Sequence, residues 1–191
     1  MAKIVIIVGH PKAGTYCEAV ANAYMAGAQE ARHEVQLFHT ARIKFDPVLH
    51  EGFNQQQQVL EPDIKSAHDA MLAADHLVFV FPLWLGTLPA IFKGFLERVL
   101  APDLVEPAKT GKFVKVWDRK SARIIITMGM PSIIYRWWFG SLATKTLKRS
   151  ILGFMGVAPV RATVFGRIGT VSAATRAKFL EDACNLGRHA A

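Results

Sequence analysis

The segment Gly9-His10-Pro11-Lys12-Ala13-Gly14-Thr15-Tyr16 has the residue types of a phosphate-binding loop. Its glycines let the backbone approach a ligand closely, and the N–H groups at the start of a following helix attract anions. Thr15 can cap that helix or bind a phosphate oxygen. Glu18 fits a capping box with Thr15, so a plain strand–helix turn is the alternative interpretation. The spacing matches neither G-x-G-x-x-G nor the P-loop, which excludes the common dinucleotide and ATP fingerprints.

Two later segments offer flat apolar surfaces with backbone donors. Residues 81–89 (FPLWLGTLP) place Trp84 after an apolar run, where its indole is either a core anchor or a wall for a flat ligand. The N–H groups of residues 84–86 could then bind the polar edge of that ligand. In residues 127–131 (TMGMP), Gly129 allows close approach or a positive φ. The aromatic segment 135–139 (YRWWF) that follows is either an exposed ligand or interface patch or the buried start of a helix.

These three segments each follow a predicted strand. Apolar β-branched runs alternate with helical patterns, which predicts an α/β fold with a parallel sheet and helices on both faces. Five strands in a chain of 191 residues favour the flavodoxin-like order 2-1-3-4-5, as one domain over residues 1–191. The ligand then lies at the carboxyl ends of the strands, where the loops after strands one, three and four meet. The predicted strands cover residues 3–9, 34–39, 76–81, 122–127 and 158–165, and the predicted helices cover residues 14–32, 62–74, from 89 onward, 141–155 and 172–188.

Two stretches lack a clear pattern. Residues 40–60 are predicted to be irregular, with the four glutamines at 55–58 as a polar helix start. Residues 101–121 contain Pro102, Pro107 and Gly111 and are predicted to form a long surface excursion.

Composition narrows the class of protein. The chain is 51% hydrophobic and 20% charged, with a formal net charge of +8. No basic run interleaved with aromatic residues is present, which argues against nucleic-acid binding, and phosphate-bearing small molecules account for part of the charge. Two distant cysteines and no signal-peptide pattern favour a reduced, cytoplasmic protein. No metal-ligand cluster or Ser–His–Asp set has convincing spacing, so no metal site is predicted.

A family resemblance is carried by three groups of residues: Gly9-His10-Pro11 with Thr15-Tyr16, the block from Phe81 to Val99 (FPLWLGTLPAIFKGFLERV), and Thr127-Met128-Gly129 with Tyr135. The chain resembles the NAD(P)H:quinone oxidoreductases of the flavodoxin-like fold, the DT-diaphorase and modulator-of-drug-activity type. This resemblance covers nearly the whole chain. It implies bound FMN, with FAD as the alternative, NAD(P)H as electron donor, a quinone as acceptor, and ping-pong transfer of two electrons through the flavin.

The resemblance also implies positions for the site residues. The phosphate end of the flavin would be contacted by His10, Thr15, Tyr16 and Cys17. The ring and the ribityl chain would be contacted by Pro82, Leu83, Trp84 and Leu85. The ring edge on the other side would be contacted by Thr127, Gly129 and Tyr135. In the family a tyrosine at the place of Tyr135 stabilises charge on the reduced flavin, often with a histidine partner. Ser141 lies near the place of that histidine here. The residues after Val99 also differ from the family segment that borders the substrate pocket.

The resemblance further implies a homodimer, with Trp137, Trp138, Phe139 and the helix at residues 91–99 as interface candidates. Two other functions stay open from the sequence. One is a flavin reductase for azo, nitro or other acceptors. The other is a flavin-binding regulatory subunit that docks on a membrane transporter, for which the basic charge and the aromatic segment would also serve. Any membrane contact is expected to be peripheral only, because no apolar run approaches the roughly 20 residues that a span requires.

Overall fold

The computed structural model describes residues 1–53, 58–110 and 115–190, with residues 105–110 described through their backbone alone. Its sheet has five parallel strands in the order β2-β1-β3-β4-β5, which confirms the predicted flavodoxin-like topology. The strands are β1 (Lys3–Val8), β2 (Glu34–His39), β3 (His76–Pro82), β4 (Ser121–Thr127) and β5 (Val160–Phe165).

Helices connect successive strands. After β4 the chain makes two short α-helices and then continues as a π-helix over Thr146–Gly153, where one continuous helix was predicted. The α-helices are α1 (Tyr16–Glu30), α2 (Pro62–Ala73), α3 (Ala90–Thr110), α4 (Ser132–Trp137), α5 (Leu142–Lys145) and α6 (Ala173–Arg188).

The central strands β1, β3 and β4 are buried on both faces along most of their length, as their apolar runs predict, whereas the edge strands β2 and β5 are partly exposed. In β1, Val5 and Ile7 pack towards α2 and α3, whereas Ile4, Ile6 and Val8 pack towards α1 and α6. This alternation follows from the two-residue period of a strand. The sheet therefore separates two apolar cores, and the edge predicted to bind the ligand is formed by the carboxyl ends of the strands.

Helices α1 and α6 approach each other so closely that only glycine fits at two positions. A Cβ at Gly27 would lie 1.9 Å from the carbonyl oxygen of Cys184. A Cβ at Gly187 would lie 2.0 Å from the carbonyl oxygen of Tyr24. Because the obstacles are backbone atoms, they cannot rotate away. This contact holds α1 in place, and the first turn of α1 forms part of the candidate site described below.

The predicted surface excursion at residues 101–121 is wrong in its first half, because α3 continues through Pro102 to Thr110. Leu100 and Ala101 are buried in this part of the helix. Trp117, beyond the helix, is fully buried and its indole N–H donates to Asp103 at 2.9 Å. The free energy gained by this burial exceeds the local cost of the prolines within the helix. The glutamines at 55–58 lie largely outside the described residues.

None of the helices within the described residues is long and apolar enough to cross a membrane.

Candidate functional site

Three loops converge at the carboxyl edge of the sheet, as the sequence predicts. The register places Val8 of β1 beside Val80 of β3, and Pro82 of β3 beside Thr127 of β4. The Gly9 N–H donates to the Val80 carbonyl at 2.8 Å. A Cβ at Gly9 would lie 2.3 Å from the Phe92 ring, so this position requires glycine. The loop over residues 9–15 is therefore held tightly against β3 before it enters α1.

The start of α1 presents unused polar groups. Thr15 precedes the helix, but its side chain makes no capping hydrogen bond. Its Oγ1 is buried and has no hydrogen-bond partner among the described residues. The first helical hydrogen bond runs from the Ala19 N–H to the Thr15 carbonyl at 3.1 Å. The N–H groups of Tyr16, Cys17 and Glu18 come before this bond and therefore have no acceptor within the helix. A buried hydroxyl beside three helix-start N–H groups is a donor set suited to a phosphate.

Glu18 shapes this loop differently from the predicted capping box. Its carboxylate accepts the Gly14 N–H at 2.6 Å, and it pairs with Arg42. The hydrogen bond from Gly14 is the main reason that the pKa of Glu18 lies below its usual value. Gly14 itself has a φ of +71°, which explains the glycine. Glu18 thus stabilises the loop conformation while Arg42 compensates its negative charge.

His39 adds a second group to this cluster. Its Nδ1 accepts the Ala41 N–H at 3.0 Å, so the neutral ring carries its proton on Nε2. That Nε2 is buried, without a hydrogen-bond partner, and lies 3.8 Å from the Glu18 carboxylate. Burial lowers the pKa of His39, which keeps the ring neutral near pH 7. Sequence reasoning missed His39 and Arg42 as neighbours of the loop. The signal was available, because β2 ends at the same edge of the sheet.

Cys17 and Tyr16 connect the loop to the rest of the molecule. The Cys17 sulfur lies 3.0 Å from Thr127 Oγ1 in a buried hydrogen bond. Burial raises the pKa of the Cys17 thiol to about 11, so it is protonated near neutral pH. The Tyr16 hydroxyl donates to the Arg176 carbonyl at 2.7 Å. These contacts position the helix start, and neither side chain is free to act as a nucleophile.

The second loop forms a tight two-residue hairpin. The Trp84 N–H donates to the Thr87 carbonyl at 3.1 Å, and the Thr87 N–H returns the bond at 2.9 Å. The two central residues, Leu85 and Gly86, have φ values of +49° and +80°. Three N–H groups were predicted to bind a ligand. The Trp84 N–H is bonded within the turn, whereas the N–H groups of Leu85 and Gly86 lie at the tip of the hairpin. Leu85 is fully exposed in a conformation that costs energy for a non-glycine residue.

Trp84 joins the first loop to the second. Its indole is 44% exposed and meets the His10 ring edge-on, with the ring centroids 5.3 Å apart. Burial lowers the pKa of His10, so this ring is neutral near pH 7. The Thr40 hydroxyl, directly after β2, donates to the His10 carbonyl at 2.9 Å and holds that residue in place. Pro82 and Leu83 are buried beneath the hairpin, so Trp84 and the hairpin tip form its exposed part.

The third loop leaves open space at Gly129. A Cβ there would meet no atom within 4 Å, and Gly129 is not among the residues with positive φ. The two roles predicted for this glycine were a positive φ and close approach by a ligand. Only close approach is compatible with the geometry. Hydrogen bonds from Ile168 N–H to the Met128 carbonyl and from Arg167 N–H to the Met130 carbonyl, both 3.1 Å, hold the flanking residues in place.

Tyr135 lies below the surface of this loop. It is fully buried, and its hydroxyl accepts the Thr144 N–H at 3.0 Å and lies 3.0 Å from Thr144 Oγ1. The tyrosine therefore ties α4 to α5. The aromatic segment was predicted to be either an exposed patch or a buried helix start, and each interpretation holds for part of it. Tyr135 is buried, whereas Trp137 and Trp138 are 84% and 85% exposed. The catalytic role of Tyr135 stays a prediction.

The arrangement defines a class of protein, an open parallel sheet with unused polar groups at a helix start and an aromatic hairpin at its switch point. The family model described as "Flavodoxin-like fold" matches residues 2–186, and the chain belongs to that family. The resemblance to NAD(P)H:quinone oxidoreductases predicted from the sequence is confirmed by the relatives below, and the chain is an oxidoreductase.

Curated relatives agree with this assignment, and a solved structure agrees with the fold. The chain is 29% identical over 181 residues to an uncharacterized NAD(P)H oxidoreductase of Haemophilus influenzae, covering 92% of this chain and 89% of that protein. It is 29% identical to NAD(P)H dehydrogenase [quinone] 1 of Cavia porcellus, covering 71% of this chain and 56% of that protein. The fold matches that of the NAD(P)H:quinone oxidoreductase from Methanothermobacter marburgensis with a TM-score of 0.83 at 22% identity, covering 98% and 95% of the two chains.

Proposed function

We propose that this protein is a flavin-dependent NAD(P)H:quinone oxidoreductase. The observation that carries the proposal is the buried, unpartnered Thr15 hydroxyl beside the N–H groups that open α1. Such a donor set stabilises a phosphate, and it lies at the edge of the sheet where this fold class binds ligands. The names of the relatives add NAD(P)H as donor and a quinone as acceptor. We place the reaction in the cytoplasm.

We further propose that the flavin is FMN. One relative, from Bacillus pumilus, is named an FMN-dependent NADH:quinone oxidoreductase and is 26% identical over 144 residues, 65% of this chain and 68% of that protein. Thr15 and the start of α1 would hold the phosphate, and Trp84 with the hairpin would flank the ring. When bound, the flavin supplies hydride acceptance from NAD(P)H and return of two electrons to the acceptor.

The chain's own residues position and enclose this group. The N–H groups of Leu85 and Gly86 at the hairpin tip would donate to the polar edge of the ring, and Gly129 leaves room on the side of β4. His10 is neutral near pH 7 and rests against Trp84, so it orients the indole without adding a charge. For Tyr135 we propose a positioning role: its buried hydroxyl keeps α4 against α5 and thereby shapes the third loop.

We also propose a homodimer, whose contact surface includes the predicted interface helix at residues 91–99 but not the aromatic residues predicted with it. Phe92 and Phe95, in the helix expected at the interface, are buried inside the protomer. Next to them, an apolar depression of about 180 Å³ opens between α3 and the π-helix, lined in part by Leu96 of the same helix and by Ser150 and Ile151. A second copy seated there would cover exposed apolar surface. Light scattering should give a dimer, and Ser150→Arg should shift it to monomer without lowering the melting temperature. A wild-type monomer would contradict this part of the proposal.

The decisive experiment is the visible absorption spectrum of the purified protein, with and without added FMN, followed by anaerobic NADPH. We expect oxidised flavin bands that bleach on reduction and recover when a quinone is added. Thr15→Val should weaken FMN binding roughly tenfold or more, since it removes one hydrogen bond to a charged group. Thr146→Val, at an exposed position of the π-helix, is the matched control and should bind FMN like the wild type. A colourless protein that cannot be reconstituted with FMN or FAD would overturn the proposal.

A further inference from the structure

The positive charge of the chain is concentrated in one contiguous part. Residues 119–180 contain eleven lysines and arginines and no aspartate or glutamate. All fifteen acidic residues lie outside this stretch, where they outnumber the twelve remaining lysines and arginines. The whole excess of +8 therefore arises from the half of the sheet that holds β4 and β5, together with α4, α5 and the π-helix.

The same part of the molecule exposes large apolar side chains. Ile133, Ile134, Trp137 and Trp138 of α4 and its end, here called the aromatic patch, are 63%, 45%, 84% and 85% exposed. Together they form an open, shallow apolar surface. Exposed tryptophans of this kind are costly in water, and a cluster of them marks a surface that contacts an apolar partner.

Cations surround the aromatic patch. Arg136 lies within it in sequence and is exposed. The Lys145 ammonium lies 3.9 Å from where a Cβ of Gly140 would be, just after the patch. Lys148 and Arg149 are exposed on the next turn of the π-helix. Within the part of the chain that the structure describes, these four cations, here called the basic flank, form no ion pair.

We propose that the aromatic patch and the basic flank dock on the surface of an anionic lipid bilayer. Tryptophans favour the headgroup level of a bilayer, where the ring contacts acyl chains and the indole N–H remains hydrated. Lysines and arginines beside them gain from the negative potential of anionic lipids. A second copy fits the aromatic patch less well, because an isologous contact centred on the patch would bring Arg136 and Lys145 of both copies together. The contact is peripheral, since the described helices include no membrane span.

Docking in this way would bring the candidate site close to the lipid surface. Helix α4 follows β4 at the ligand edge, and a Cβ at Gly86 of the hairpin would lie 3.7 Å from the Phe139 ring, directly after the patch. An acceptor that resides in the bilayer would then reach the site without crossing open water. This last consequence rests on the proposed function, whereas lipid binding does not.

Vesicle co-sedimentation of the purified full-length protein tests the proposal without any redox assay. The vesicles are pure phosphatidylcholine, or phosphatidylcholine with about one third phosphatidylglycerol. We expect partitioning to the anionic vesicles that is at least about tenfold stronger and is lost at high salt. Trp137→Ser with Trp138→Ser, and Lys148→Glu with Arg149→Glu, should each lower the partition coefficient by about tenfold or more.

The charge control is Lys44→Glu with Lys65→Glu, which makes the same change in net charge at exposed positions near β2 and on α2. It should keep most of the vesicle binding, and thermal melting checks that every variant is folded. Brominated lipids should quench the fluorescence of the wild type more than that of Trp137→Phe with Trp138→Phe. Equal binding to both vesicle types, or patch variants that bind like the wild type, would overturn the proposal. The proposal would also be overturned if Trp137→Ser with Trp138→Ser turned a dimer into a monomer and left vesicle binding unchanged.

Discussion

The sulfur of Cys17 and the hydroxyl of Thr127 meet at 3.0 Å, although 110 positions separate them in the sequence. Cys17 belongs to the first turn of α1 and Thr127 ends β4. The contact therefore joins the first and third loops of the candidate site beneath its surface. Burial also raises the pKa of the Cys17 thiol to about 11, so the thiol is unreactive near neutral pH.

Thiol labelling should distinguish the two cysteines. Cys184 is partly exposed, whereas Cys17 is buried and its thiol stays protonated. Since the thiolate is the reactive form, iodoacetamide at pH 8 should modify Cys184 first and leave Cys17 unmodified until the protein unfolds. Mass spectrometry of peptides from the native and the denatured protein measures this. Rapid modification of Cys17 in the native state would show that the contact with Thr127 opens readily.

Gly129→Ala should weaken FMN binding without affecting folding. A Cβ at this position meets no protein atom within 4 Å, so the apoprotein should melt at the wild-type temperature. The added methyl group would occupy space that the proposal assigns to the ligand, and we expect the Kd for FMN to rise roughly tenfold, about 1.4 kcal/mol. Gly169→Ala, also in open space but in the loop after β5, is the control. Unchanged FMN affinity in Gly129→Ala would argue against a ligand at this loop.

Gly27→Ala and Gly187→Ala should destabilise the fold. Each added Cβ collides with a backbone carbonyl of the facing helix, at 1.9 Å and 2.0 Å respectively. Relief requires α1 and α6 to move apart, and we expect a loss of about 2–3 kcal/mol in the free energy of unfolding. Urea titration of both variants beside Gly169→Ala measures the loss. Wild-type stability in both variants would mean that the two helices pack less closely than described.

His76 should make the protein acid-sensitive. The ring is buried between Tyr24 and Ser121, and burial followed by the charge of Arg123 lowers its pKa to about 4. The unfolded chain binds this proton near pH 6.5, so the folded state loses stability as pH falls from about 6.5 to about 4. The full loss is on the order of 3 kcal/mol.

His76→Gln should remove most of that pH dependence, whatever its effect on stability at pH 8. Urea unfolding at several pH values checks the slope. The opposite sign is expected from His68, because its hydrogen bond with Asp103 raises its pKa. That contribution is fully present below about pH 6.5 and is lost as pH rises through the raised pKa. A His76→Gln protein with the wild-type slope would contradict the assignment to His76.

Tyr135→Phe separates a positioning role from a catalytic one. The variant leaves the Thr144 N–H without its buried acceptor, so we expect a loss of about 1–2 kcal/mol of stability. The rate of flavin reduction by NAD(P)H should fall by less than about tenfold, since the hydroxyl is not exposed to the site. Stopped-flow absorbance gives that rate. A loss of about a hundredfold at unchanged melting temperature would instead support the predicted catalytic role.

Much of this protein was determined by the sequence alone, for a physical reason. A strand buried on both faces is apolar along its buried length, and β1 and β3 carry that pattern without interruption after their first residues, Lys3 and His76. Crossovers between parallel strands are right-handed, which leaves few possible strand orders. Once the order was set, the three site loops had to meet at one edge, and the sequence predicted each of them.

Only the tertiary structure decided what individual side chains do there. Thr15 makes no capping bond, and the Glu18 carboxylate binds the Gly14 N–H and Arg42, which lies in the turn after β2. Helix α3 continues past Pro102 because Trp117, remote in sequence, is buried and bonded to Asp103. Each outcome depends on a partner far along the chain. Local propensity cannot register such a partner, because the free energy that it contributes exists only after the chain has folded.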